Sequence, residues 1–569
     1  MPMDGAMLVA LTGEIRETLT GARVDKIYQP GDHDLLIRLR TRTENINLYL
    51  SAHPVRGGIC MTRNAFTAPQ PPPLLTMVMR KHLSGGRLVA VRQDGLDRTI
   101  FLDFLATSEI GDPVRRTLIL EVMGRHSNII LLDGDKNTVI DALVRFNHLV
   151  SRHREILPGR IYASPPPRQG LRFLDPLPEI LPLPENEEGS LAEHFSRIFP
   201  GLGSKTLQEL LKPAGQDPDR VRILLEDFRS RLLNSSHQPC MTLNPPVPAD
   251  IFLFPVDSPH IRQFTSVSDM VSTYYQMLGE SDRFHSEQRK LQRSLRQMIA
   301  RREKKMEIHE ENLREAEKAD VWRIRGELLT ANLHRIRPGM DSITLDNYYL
   351  DPPEPLTLEL DPALSPSANA NRCFRRVSKV REAAKVSRQI LEQLREDLTY
   401  LETVEVSLKQ AETTGDLMEI LEELTRSGFL GRPPGRQQKP VTPNGPMRFI
   451  STTGMEILVG RNNRQNDWLT MKQAADTDVW LHTKEIPGSH VILKTRDGTY
   501  DETSLLEAAT LAAWFSKARD SVKVPVDYTP RKHLRKPGGS RPGMVVYDRN
   551  RTILVDPDPA LAENLRNHS

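Results

Sequence analysis

Two short polar clusters have residue types and spacing that suit chemistry. The first, Asp94-Gly95-Leu96-Asp97-Arg98, is a tight turn that sets a carboxylate and a guanidinium side by side before an apolar strand. Read alone, it is accounted for by a turn aspartate and a surface ion pair. The second, Glu121-Val122-Met123-Gly124-Arg125-His126-Ser127-Asn128, packs an acid, an arginine, a histidine and hydroxyl and amide groups into a bend between strands. Carboxylates accept from base amino groups and arginine donates through two nitrogens, so this set can read base edges or sugars. A strand-joining bend has no folding need for that density of polar groups.

Further sites suit phosphate. Gly201-Leu202-Gly203-Ser204-Lys205 lies between two helix-like segments. This is the pattern of a helix-hairpin-helix, whose turn offers backbone N–H groups of Gly201 and Gly203, with Lys205 beside them, to an anion. An ordinary helical corner fits the same residues. Residues 289–305 hold eight Lys/Arg against Glu303 alone, and residues 531–541 hold Arg531, Lys532, Arg535, Lys536 and Arg541 with no acid. Trp468, Trp480, His482, His490 and Trp514 offer aromatic faces for stacking on RNA, with Lys472 and Lys484 among them as cations. Taken singly, each aromatic suits core packing better than stacking. No serine–histidine–acid, metal or phosphate-loop constellation occurs, so no catalytic residue, metal or cofactor is expected. Three cysteines, far apart, build neither a disulfide framework nor a four-cysteine zinc site.

The elements that position these residues follow from periodicity. Residues 4–20 form a one-faced apolar helix, followed by strand alternations in Val24–Tyr28, Leu35–Leu39 and Ile46–Leu50 and a helix over Leu74–Leu83. Strands near 88–93, 99–104, 117–122, 129–132 and 139–143 complete an α+β unit, and proline punctuates 165–184. Residues 241–275 read as a short β segment. From Phe284 to Leu424 runs a broken helical stretch. Its seam is Phe284, Gln288, Leu291, Leu295, Met298, Arg302, Lys305, His309 and Leu313, answered by Val377, Ala384, Leu391, Leu394, Leu398, Leu401, Glu405 and Leu408. Prolines at 338, 352, 353 and 355 part the halves, so the chain turns back as an antiparallel hairpin about 40 Å long. After a Pro/Gly-rich linker, Arg432–Pro446, comes a second α+β unit. No apolar run of eighteen residues occurs, which excludes a membrane-spanning helix. The first residues lack the basic start of a secretory signal, so a cytoplasmic setting is expected.

These motifs together resemble the NFACT family, on its bacterial RqcH-like branch, over nearly the whole chain. The resemblance rests on Asp4-Gly5, Arg23–Pro30, Arg80-Lys81-His82-Leu83, Gly95–Arg98 and Glu121–Asn128. It continues in Asp467-Trp468-Leu469-Thr470, Asp478–His482, Pro487-Gly488-Ser489-His490, Val524–Thr529 and Lys536-Pro537-Gly538-Gly539. It implies a multidomain α+β fold: a glycosylase-like N-terminal domain (1–175), a helix-hairpin-helix (176–240) and a β connector (241–280). A coiled-coil arm (281–430, with a tip inserted at 336–371) and a C-terminal RNA-binding domain (441–569) follow. It further implies a ribosome-associated quality control factor that binds large ribosomal subunits, through rRNA and ribosomal proteins, obstructed by peptidyl-tRNA. Such a factor recruits alanine tRNA, and the ribosome's own peptidyl-transferase centre adds an alanine tail that marks the chain for degradation. Asp97 and Arg98 match a pair needed for tailing, and Asp4 falls in the same tRNA-binding set. Glu121, Met123, Arg125 and His126 match a loop expected near the anticodon region. The basic flank at 289–305 is then expected at the ribosome, with the chain a monomer in that complex.

Three rivals are weaker. A true glycosylase using a Pro2 amine lacks the glutamate its chemistry needs, since Met3 follows. A surface adhesin, suggested by relatives described as fibronectin-binding, would need an unconventional export route. A parallel coiled-coil dimer would give a doubled mass in light scattering.

Overall fold

Strict alternation in Leu35, Ile37 and Leu39, in Ile46, Leu48 and Leu50, and in Ile100, Leu102 and Phe104 gives each strand an apolar face, and all nine side chains are buried. The computed structural model describes residues 3–64, 71–148, 154–181, 190–215, 217–244, 247–431 and 444–567. Pro2, residues 182–184 of the proline-rich junction and residues 432–443 of the linker lie outside the described residues. The chain divides into two compact units, Met1–Asp282 and Arg283–Ser569.

The first unit opens with α1 (Gly5–Leu19) and β1 (Arg23–Tyr28), β2 (Asp34–Arg40), β3 (Asn45–Ser51) and β4 (Gly58–Thr62). α2 (Leu74–Leu83), β5 (Arg87–Gln93), β6 (Thr99–Thr107), β7 (Pro113–Glu121), β8 (Asn128–Asp133) and β9 (Thr138–Ala142) follow. The strands form one antiparallel sheet, ordered β4-β3-β2-β1-β5-β6-β7-β8-β9. β4 is illegible from alternation because Ile59 and Cys60 are both buried, on opposite faces. Three helices, α3 (Leu191–Ile198), α4 (Ser204–Leu211) and α5 (Pro218–Leu233), precede a small sheet of β10 (Cys240–Asn244), β11 (Val247–Phe252) and β12 (Ile261–Gln263). Leu8, Leu11 and Ile15 of α1, Phe195 of α3, Phe199 just after it, Phe228 of α5, and Met241, Met270 and Tyr274 belong to one apolar cluster. The segments 1–175, 176–240 and 241–280 therefore share a core, which a division by sequence composition does not reveal.

α6 (Val267–Glu317) starts in that core and continues into the second unit, and its later part pairs there with α8 (Pro366–Gln410). Gln288 Nε2 donates to Leu408 O at 3.0 Å, Arg302 Nε to Asp397 Oδ2 at 2.8 Å, and His309 Nδ1 lies 3.1 Å from Ser387 Oγ. Rising numbers on one helix meet falling numbers on the other, so the pair is antiparallel. Lys305 is exposed rather than in the seam, while Asp397, Tyr400 and Val404 are buried there. At the far end, α7 (Ala319–Ala331) and the hairpin β13 (Ser342–Asn347)–β14 (Glu354–Glu359) share a small core of Leu328, Leu329, Ile343, Leu345 and Leu358. The tip thus includes α7, not only 336–371.

At the near end, α9 (Thr414–Arg426) meets the C-terminal domain through polar groups. That domain comprises β15 (Met447–Ile450), β16 (Glu456–Val459), α10 (Asn463–Trp468) with a π turn over Leu469–Gln473, β17 (Val479–Thr483), β18 (Val491–Leu493) and α11 (Glu502–Trp514). β19 (Val524–Pro530), β20 (Leu534–Arg535), β21 (Val546–Tyr547), β22 (Arg551–Val555) and α12 (Pro559–Asn567) complete it. Its sheet runs β15-β16-β18-β17-β19-β22, all pairs antiparallel, with α11 packed on one face. Glu419 accepts from Asn462 Nδ2 at 2.6 Å and Gln465 Nε2 at 2.9 Å, and Glu423 from Tyr400 Oη at 2.7 Å and Asn463 Nδ2 at 2.9 Å. Asp397 pairs with both Arg302 and Arg541, whose guanidiniums lie 4.5 and 4.6 Å from the Phe429 ring centre. No helix among the described residues is long and apolar enough to cross a membrane.

Removing the shared carboxylate leaves two largely buried guanidiniums facing each other. Asp397→Ala is expected to cost about 3 kcal/mol in the stability of the second unit, read from the denaturation midpoint of the full chain.

Candidate nucleic-acid interface

The Asp4-Gly5 start, the 94–98 turn and the 201–203 turn, distant in sequence, meet in the first unit. Asp4 caps α1 by accepting Met7 N–H at 2.9 Å. Its second oxygen accepts Gly203 N–H at 2.9 Å and Thr206 Oγ1 at 2.6 Å. Gly5 N donates to Gly201 O at 2.7 Å, and a Cβ on Gly5 would sit 2.0 Å from Leu96 O. Gly201, at φ +106°, admits no side chain either, since its Cβ would lie 2.3 Å from the same oxygen. Gln93 Nε2 donates to Asp97 O at 2.7 Å and to Gly5 O at 3.3 Å, closing the knot.

This knot presents Asp97 and Arg98. Asp97 is exposed, and its Oδ1 accepts the Arg98 N–H at 2.6 Å. Burial, then the neighbouring Arg168 guanidinium, pull the half-buried Arg98 below the usual arginine pKa. Asp94 is held by Arg172. The Arg98 carbonyl accepts Val122 N–H at 2.8 Å, so the turn and the 121–128 bend lie at one end of the sheet.

Within that bend the polar residues divide. Glu121 is fully buried and accepts two bonds of 2.5 Å from Arg154 and one of 2.8 Å from Tyr162 Oη. Ser127 Oγ accepts Met123 N–H at 2.9 Å, and Asn128 Nδ2 donates to Val144 O at 2.8 Å. These groups shape the bend. Arg125 and His126 are exposed, with Arg125 Nε 3.1 Å from His126 Nε2, and Met123 is half-buried. Glu121 and Asp4 are therefore corrected from ligand-facing to internal roles, because their oxygens are already spent on protein donors. The phosphate reading of the hairpin is corrected likewise: the Gly203 N–H is taken by Asp4, and Lys205 pairs with Asp250 at 2.8 Å. Arg154, Tyr162, Gln93 and Arg168 escape sequence reasoning, since no spacing links them to the residues they serve.

In the C-terminal domain, Trp480 and His490 are buried, and Trp480 belongs to a core of Leu458, Leu469, Ile492 and Leu534. His482, half-buried, stacks on Trp480 at 5.7 Å between centroids, and Tyr547 approaches the same ring at 4.9 Å. These aromatics pack against each other, so their stacking on RNA is corrected to a core role. Arg531 donates to Thr470 O and Met471 O, both at 3.1 Å, and to Asp476 at 2.7 Å, which makes it a structural tie. Lys536 pairs with Asp467. Lys472, Lys484, Lys532 and Arg535 remain exposed, as does Trp468. Among the described residues no cluster of three His, Cys, Asp or Glu could hold a metal ion.

Gly5→Ala is expected to cost at least about 2 kcal/mol and to displace the Asp97–Arg98 turn, seen as a lower melting temperature and faster amide exchange at residues 94–98. Burial holds His482 and His490 below the ordinary histidine value of 6.5. The native state then binds fewer protons than the unfolded chain, so this stability is present above pH 6.5 and lost as pH falls. Each contributes at most about 1.4 kcal/mol per pH unit, while Glu423, raised by burial, acts in the opposite direction. Melts from pH 7.5 down to 5 should fall, and His490→Gln should flatten the fall.

A family model described as NFACT N-terminal and middle domains matches residues 4–442, and one described as NFACT protein RNA binding domain matches residues 446–547. The chain is 35% identical over 567 residues to the Rqc2 homolog RqcH of Bacillus subtilis (strain 168), covering 98% of each chain. It is 36% identical over 562 residues to the Rqc2 homolog RqcH of Streptococcus suis (strain 05ZYH33), again 98% of each. Among solved structures, the N-terminal part of the fibronectin/fibrinogen-binding protein from Streptococcus suis is similar at 31% identity and a TM-score of 0.41, covering 48% of this chain and 99% of that one. A likeness at that score says nothing of what this chain binds. With both family domains in order and relatives matched from end to end, the chain belongs to the NFACT family.

Proposed function

We propose that this chain is a ribosome quality control factor that binds large ribosomal subunits blocked by peptidyl-tRNA and brings alanine tRNA to them for template-free alanine tailing. The observation that carries the reading is the match along 98% of both chains to relatives named Rqc2 homolog RqcH. The first unit supports it with four exposed or half-buried polar side chains at one sheet end: Asp97, Arg98, Arg125 and His126. They suit the sugar and phosphate edges of a folded RNA. Asp4 and Glu121 serve as positioning residues beneath them.

In this reading the protein supplies no catalytic group. It lowers the entropic cost of placing tRNA at the ribosome's own peptidyl-transferase centre by holding the acceptor in position. The antiparallel helix pair works as a coiled-coil spacer within a monomer, and the setting is the cytoplasm. The C-terminal domain adds RNA contacts through Lys472, Lys484, Lys532 and Arg535.

The test is a reconstituted assay with subunits carrying peptidyl-tRNA. Arg98→Ala and Asp97→Ala are expected to lower tailing at least tenfold while co-sedimentation stays within about twofold, given that losing one charge-assisted hydrogen bond costs about 1.5–3 kcal/mol. Full tailing by both variants, or sequencing that finds no enrichment of alanine tRNA on the subunits, overturns the reading.

A further inference from the structure

The seam that joins α6 to α8 uses one side of α6: Leu291, Leu295 and Met298 are buried there, and Arg302 reaches Asp397 across it. At 3.6 residues per turn, Arg289, Lys290, Arg293, Arg296, Arg301 and Lys304 fall within an arc of about 140° centred opposite that seam, over a length of about 22 Å. All six are exposed. Only Lys290 has a carboxylate partner among the described residues, Glu287 at 2.8 Å. Glu303 is the lone acid between residues 289 and 304, and Glu307 follows one turn beyond the stripe on the same side. A helix needs no such stripe to fold: six like charges on one face repel one another and weaken it.

We infer that this outer face of α6 is a binding surface for the phosphate backbone of double-helical RNA. The inference rests on the ribosomal reading above only for where such RNA is met. Three observations select that partner. Gln297 and Ala300 are the uncharged residues within the stripe, and no aromatic or branched aliphatic side chain stands among them. Exposed Ile308, one turn beyond, is alone, so the outer face of residues 289–304 lacks the clustered apolar anchors of a protein interface. A membrane-binding helix inserts its apolar face, which here is buried against α8. Single-stranded RNA is held by bases stacked on aromatic rings, and the stripe has none. What remains is a row of cations along one helix face, which matches regularly spaced phosphates and ignores sequence.

The test uses the full chain and an RNA duplex of about 20 base pairs of arbitrary sequence, titrated from about 50 to 300 mM salt. The triple variant Arg289→Gln/Arg293→Gln/Arg296→Gln keeps good helix formers at exposed positions, and far-UV circular dichroism confirms the arm. It is expected to flatten the slope of log affinity against log salt by about 2–3, at about 0.9 for each phosphate that is no longer neutralised. Binding at the lowest salt should weaken at least tenfold. The corresponding triple lysine variant should bind like the parent. Unchanged slope and affinity overturn the inference, as does a loss confined to anionic phosphatidylserine vesicles. Parent co-sedimentation with large subunits is measured in parallel. If the parent fails to bind subunits while the variant loses duplex RNA, the ribosomal reading fails and this surface stands. If the parent binds subunits and the variant's slope is unchanged, only the surface fails.

Discussion

The first unit depends on a place where three backbones meet with no room for a side chain. Gly5, Gly201 and the Leu96 carbonyl approach so closely that a single methyl group would collide with peptide oxygen. Asp4 makes the approach stable by splitting its carboxylate between the start of α1 and the N–H of Gly203. A buried carboxylate with all its acceptors used is rigid, so the 94–98 turn inherits a fixed position. Asp97 and Arg98 stand on that turn. Glu121 repeats the device in the adjoining bend, where Arg154 and Tyr162 consume its charge and leave Arg125 and His126 outside.

The second unit uses polar groups in a different way. An arm of two helices gains its length from a narrow apolar seam, which by itself specifies neither register nor what lies at its base. Register comes from part-buried polar pairs such as Arg302 with Asp397 and His309 with Ser387. At the base, Glu419 and Glu423 of α9 bind the amides of α10, and Arg541 brings a C-terminal loop onto Tyr400 and Phe429. The RNA-binding domain is thus seated on the arm through hydrogen bonds with strict geometry, which resist sliding better than apolar packing does.

Much of this was legible from the chain. Alternation located eight of the nine strands of the large sheet, and the three-and-four spacing located both long helices, because those periods are imposed by the backbone itself. The motifs that mark the family were also legible, as were the polar residues Asp97, Arg125 and His126, which are exposed, and Arg98, which is half-buried. Where reading of the site residues failed, the cause was that a side chain's type does not disclose whether it faces outward. Trp480 and His490 could stack on RNA as well as fill a core, and the core, the better reading of each taken singly, has them. Arg531 and Lys536 belong to a basic run, yet both are tied to neighbouring acceptors. Lys305 falls on the seam by spacing but is exposed, since the pattern drifts along a helix with 3.6 residues per turn.

The sequence by itself determined eight strands of the large sheet, the two long helices of the arm, and the family, all of which depend on local period or on ordered motifs. Only the tertiary structure decided which polar groups are spent internally and which remain to bind. That decision depends on partners such as Gly203 for Asp4 and Arg154 for Glu121, which lie 199 and 33 residues away. Close approach and burial are pairwise properties, and no local spacing encodes them. The 94–98 turn is the clearest instance: its residues announce a polar pair, and the distant Gly5 and Gly201 hold it in place with Asp97 exposed and Arg98 half-buried.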